Sequence, residues 1–80
     1  MKKSKVDKAI HAVIETYGLS KRESQVAHLI ARGHETTAIS QKLNIVDATI
    51  RAHLRSIFIK TGTTNRPALI SKILIDHLSK

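Results

Sequence analysis

Apolar positions recur three and four residues apart along most of the chain, the spacing of one face of a helix. Val6, Ile10, Val13, Ile14 and Tyr17 form the first stripe, with Asp7, Lys8, His11 and Glu15 between them, and Gly18 stands where that helix should stop. Ser20 and Glu23 then make a Ser-x-x-Glu capping box ahead of Val26, Leu29 and Ile30, predicting a helix from Lys21 to Arg32 that Gly33 ends. A short helix from Thr36 to Leu43 follows, starting at Glu35 or Thr36, with Ile39 and Leu43 inward. Asn44 occupies the next turn, a place for a residue that tolerates positive φ. A longer helix runs from Val46 to Thr61, with Ile50, Leu54, Ile57, Phe58 and Thr61 on one face, and Gly62 breaks it. Thr64 or Asn65 caps a last helix reaching to about Leu78, and Pro67 falls in its first turn, where a missing N–H costs nothing.

The expected architecture is therefore all-α. A short helix, a turn of about three residues and a longer helix stand in succession, which is the helix-turn-helix arrangement. The side of the longer helix away from the core carries Ala48, Ala52, Arg55 and Ile59, flanked by Thr49, Arg51 and Ser56. Small residues allow close approach to a surface, and arginines at i and i+4 project the same way. Such a face suits the major groove, where Arg reads guanine O6 and N7. It also fits an ordinary amphipathic helix with a solvated basic side.

Charge moves the balance toward a polyanion. The 80 residues hold 14 Lys plus Arg against 6 Asp plus Glu, a net charge of +8. One Phe, one Tyr and no Trp leave an aliphatic core and argue against readers that stack single-stranded bases on aromatic platforms. No apolar run approaches the roughly 20 residues that span a bilayer, and no signal-peptide pattern follows the basic MKKSK start. The acids Asp7 and Glu15 weaken a membrane-surface role for the first helix. Without Cys there is no thiolate chemistry or thiol-ligated zinc. His11, His28, His34, His53 and His77 lack an H-E-x-x-H pattern, and neither a Ser–His–Asp set nor a Gly-rich phosphate loop can be assembled. No metal, cofactor or enzymatic activity is expected.

Three stretches in register carry a family resemblance. LSKRESQV (residues 19–26) is similar to L-T-x-R-E-x-E-V, ARGHETTAIS (31–40) to A-x-G-x-S-x-K-E-I-A, and LNIVDATIRAHLRSIFIKTGTTNR (43–66) to L-x-I-S-x-x-T-V-K-x-H-x-x-x-I-x-x-K-L-G-V-x-N-R. The chain from Leu19 to about Ile75 thus resembles the LuxR/GerE-type helix-turn-helix domain of bacterial transcription regulators. The resemblance implies a four-helix domain over 19–80, with residues 1–18 adding a basic tail and an amphipathic helix. It implies sequence-specific binding of double-stranded DNA, with base reading at Arg51, Ala52 and Arg55 and backbone contacts at Thr36, Thr37, Thr49 and Lys60. It also implies a bacterial, cytoplasmic, nucleoid-associated protein.

The last helix holds one apolar stripe of Leu69, Ile70 and Ile73, while Ala68, Leu74, Ile75 and Leu78 spread over the remaining surface. That surplus, with the resemblance, points to a homodimer through Leu74, Ile75 and Leu78. The alternative is an interaction module that pairs with a related regulator and modulates it; the two arginines and positive charge of the reading face favour the first reading. Whether the first helix packs on the domain or joins a dimer contact stays open. Family members usually carry another domain ahead of this one. Only 18 residues precede Leu19 here, so the small free-standing members, with GerE as type, are the expected nearest kin. Five departures stand out. Val46 replaces a Ser or Thr cap, leaving Asp47 as the candidate cap. Ala48 and Ala38 replace polar residues. Thr61 and Thr63 replace apolar ones beside Gly62, which should loosen the junction with the last helix.

Overall fold

The computed structural model describes residues 5–78, with side chains described through Ile75. Among the described residues five helices follow one another: α1 (Lys5–Tyr17), α2 (Lys21–Ala31), α3 (Thr36–Leu43), α4 (Asp47–Thr61) and α5 (Arg66–Leu78). No strand occurs among the described residues.

One aliphatic core joins all five. Val26, Ala27 and Ile30 of α2, Ile39 of α3, and Ile50, Leu54 and Ile57 of α4 are buried together with Leu69 and Ile73 of α5. The first helix belongs to the same core. Its Ala9, Ile10 and Val13 are buried, with Val6, Ile14 and Tyr17 packed against them. It lies mainly against α5, and less extensively on α2 and α4. Polar contacts fasten it as well. Arg32, at the end of α2, donates to the Asp7 carboxylate, and the Lys72 ammonium sits 5.4 Å from the centre of the Tyr17 ring. The first helix thus packs on the domain, over α5.

The helix ends show why the chain turns where it does. Ser20 and Glu23 form the capping box at α2, with Glu23 N–H donating to Ser20 Oγ at 3.1 Å and Ser20 N–H to Glu23 Oε1 at 2.8 Å. Asn65 caps α5, its Oδ1 accepting from Ala68 N–H at 2.8 Å. Asn44 closes α3 in the left-handed region (φ 56°, ψ 47°) that Asn tolerates better than most side chains. At α4, Val46 is the N-cap and no side chain accepts there. Asp47 does not take over the cap. It is already the first helical residue, where its negative charge meets the positive end of the helix dipole instead.

The junction after α4 is not loose. Thr61 is buried, and its hydroxyl donates back to the Ile57 carbonyl at 2.8 Å and shares a 2.9 Å bond with Thr63 Oγ1. The two threonines thus satisfy each other where the family pattern has apolar packing. Arg66 then ties the start of α5 to the α2–α3 connection, donating to the His34 carbonyl at 2.9 Å and to the Thr36 hydroxyl.

Candidate nucleic-acid interface

The α3–turn–α4 unit is held from inside. Ile39 is buried in the same core as Ile50 and Leu54, and the turn is clamped by Ser40, whose carbonyl accepts from Ile45 N–H at 3.0 Å and whose hydroxyl donates to the Ile45 carbonyl. With its apolar stripe buried, α4 leaves one side uncovered. Ala48, Thr49, Arg51, Ala52, Arg55 and Ile59 are all exposed. The three residues expected to read bases, Arg51, Ala52 and Arg55, therefore lie together on one accessible face. Neither arginine has an ion-pair partner among the described residues. Arg51 and Arg55 line a shallow dent together with Leu54 and Phe58.

The residues expected at the DNA backbone are placed less uniformly. Thr37 and Thr49 are exposed. Thr36 is half-buried, and its hydroxyl accepts from Arg66. Lys60 is engaged within the protein, donating to Glu23 Oε1 at 2.8 Å and reaching the Gly18 carbonyl at 3.4 Å. Ser56, expected beside the outer face, instead turns inward and donates to Glu23 Oε2.

Glu23 is the residue whose part sequence reasoning missed. It is only 5% exposed. Burial alone would raise its carboxyl pKa. The Lys60 ammonium, the Ser20 N–H and the Ser56 hydroxyl outweigh that and lower it from 4.5 to about 2. The carboxylate is thus a fixed negative charge joining the start of α2 to the last two turns of α4. The capping box was visible in sequence. The long-range grip was not, because Ser56 and Lys60 lie 33 and 37 residues away.

Of the expected dimer residues, Leu74 and Ile75 are 45% and 56% exposed. The side chain of Leu78 lies outside the described residues. The α5 stripe that α1 covers, Leu69 and Ile73, is fully enclosed. No helix among the described residues is long and apolar enough to cross a membrane.

Comparison with known proteins bears on this geometry. The family of bacterial regulatory proteins described as the luxR family matches residues 17–73, a stretch that includes α2, α3 and α4 entire. The oxygen regulatory protein NreC of Staphylococcus aureus is 38% identical over 56 residues, 70% of this chain and 26% of that protein. The monoamine regulon transcriptional regulator of Klebsiella aerogenes is 33% identical over 54 residues, 68% of this chain and 24% of that protein. The chain thus spans about a quarter of the length of these curated relatives. No solved structure matches it significantly. The family match runs through the turn and both helices that leave Arg51 and Arg55 exposed, so the chain belongs to the luxR family of bacterial regulatory proteins, DNA-binding helix-turn-helix regulators rather than enzymes.

Proposed function

We propose that the chain binds double-stranded DNA in a sequence-specific manner, with the exposed face of α4 in the major groove, and so regulates transcription. The observation that carries this is the pair Arg51 and Arg55, one turn apart, exposed and without an acidic partner among the described residues, beside the small Ala48 and Ala52. Arg51 and Arg55 read guanines, while Ala52 meets a thymine methyl group or lets the helix come close. Thr37 and Thr49 hold phosphates. Thr36 and Lys60 contribute at the backbone only through the protein bonds they already make. We assign the DNA-binding unit to residues 19–80 and treat 1–18 as its extension. The bacterial cytoplasm, at the nucleoid, is the place this reading implies.

A homodimer is part of the proposal, joined through α5 at Leu74, Ile75 and Leu78. Two copies would then favour half-sites about one helical turn of DNA apart. The exposure of Leu74 and Ile75 also supports pairing with a related regulator as a second reading. The test is selection from a random duplex library at two salt concentrations, followed by sequencing. A motif of two half-sites is expected. Binding that enriches no motif and collapses at the higher salt would leave only electrostatic attraction and would favour the second reading. On the enriched duplex, Arg51→Ala and Arg55→Ala should each cost roughly 1–3 kcal/mol and relax preference at one position.

A further inference from the structure

The grip on Glu23 sets more than the stability of one side chain. Ser56 and Lys60 are one turn apart on α4, and both end on the same carboxylate, one on each oxygen. Glu23 is itself pinned at the start of α2 by the Ser20 N–H, and the Lys60 ammonium also reaches the carbonyl of Gly18 in the connection between α1 and α2. A single contact would fix the distance between two helices. Two contacts from successive turns also fix the rotation of α4 about its own axis. At 100° per residue, Ser56 and Lys60 point about a quarter-turn away from the stripe of Ala48, Ala52, Arg55 and Ile59. Rolling the helix by about 20° displaces a group some 6 Å from its axis by roughly 2 Å. That is more than a two-pronged arginine contact tolerates.

We infer that Lys60 and Ser56, acting through the buried Glu23, are positioning residues that hold the roll of α4 and so aim Arg51 and Arg55, and that Lys60 is not a phosphate contact. The inference rests on the DNA-reading face proposed above. It differs from the family-based expectation for Lys60 in a measurable way. A phosphate-binding lysine competes with its internal acid, so removing Glu23's charge frees it and strengthens binding to any duplex. A positioning lysine depends on that acid, so removing either partner weakens binding to the selected duplex alone.

The experiment measures affinity across a salt series for the selected duplex and a scrambled duplex, using wild type, Lys60→Met, Glu23→Gln and Ser56→Ala. The last variant changes no charge and removes one hydroxyl, so it stays folded should the other two lose stability. All three are expected to lose affinity for the selected duplex, about tenfold for the charge variants, the loss of one loosened arginine–guanine pair. Lys60→Met should keep the wild-type slope of log affinity against log salt. The inference is overturned if Lys60→Met lowers that slope by about 1 and Glu23→Gln binds both duplexes more tightly. It is also overturned if Ser56→Ala reads the selected duplex as well as wild type. A wild-type protein that prefers neither duplex overturns the DNA-reading face itself, and the inference with it.

Discussion

Replacing Ile10 by Ala tests whether α1 belongs to the folding unit. Ile10 is fully enclosed and faces the core that includes Leu69 and Ile73 of α5. The change removes three carbons. At about 0.8 kcal/mol per buried methylene, the transfer contribution alone is about 2.4 kcal/mol. The void left between two helices that cannot fully collapse adds to it, bringing the expected loss to about 3–4 kcal/mol, within the range for Ile→Ala in cores. A domain of this size has roughly 4–12 kcal/mol of stability in all, so the substitution should remove a large share of it. Urea unfolding followed by helical circular dichroism is the assay. One cooperative transition at a much lower midpoint is expected, since α1 and α5 share a core. A loss under about 1 kcal/mol, or an early separate transition, would show that α1 is a loosely attached appendage and refute the packing argument.

Other consequences follow from the charges and the caps. The folded pKa of Glu23, about 2, lies below its ordinary 4.5. Its contribution, up to about 3 kcal/mol, is therefore fully present above pH 4.5 and is lost as pH falls from there toward 2. Urea midpoints of wild type should drop through that window while those of Glu23→Gln change less. Parallel profiles for the two proteins would contradict the assignment. Val46 caps α4 without a side-chain acceptor and is 68% exposed, so Val46→Ser should raise stability by about 1 kcal/mol, read as a higher melting temperature. Gly62 closes α4 at φ 70° with open space where a Cβ would stand, so Gly62→Ala should cost about 1 kcal/mol from backbone strain alone, and a neutral result would show that the turn relaxes.

The helices were legible because long aliphatic side chains keep a strict spacing. The stripes of Ile50, Leu54, Ile57 and Thr61 and of Ile10 and Val13 are buried as their periodicity requires. Small residues carry little of that signal. Ala9 and Ala27 are as deeply buried as the isoleucines, because alanine lets helices come close, yet neither stood out in the pattern. The apolar surplus of the last helix was visible, but not which part of it the chain itself would cover. Leu69 and Ile73 go under α1, leaving Leu74 and Ile75 outside. Periodicity also placed Arg51 and Arg55 on the outer face of α4, since a helix side facing away from a well-defined apolar stripe has nowhere else to point. It misplaced Ser56. That residue lies near the boundary between faces, and only a distant buried carboxylate decides which way it turns. Lys60 likewise carried no local sign of its internal partner.

On the reading proposed above, the outer face of α4 is the surface that meets DNA. Nitrogen-15 labelled protein titrated with the selected duplex, amide by amide, tests it most directly. The largest shifts and broadening are expected at Thr49, Arg51, Ala52 and Arg55 and at Thr37, with α1 and the outer side of α5 little changed. Shifts concentrated on α1 or around Leu74 and Ile75, with the α4 amides unmoved, would contradict it.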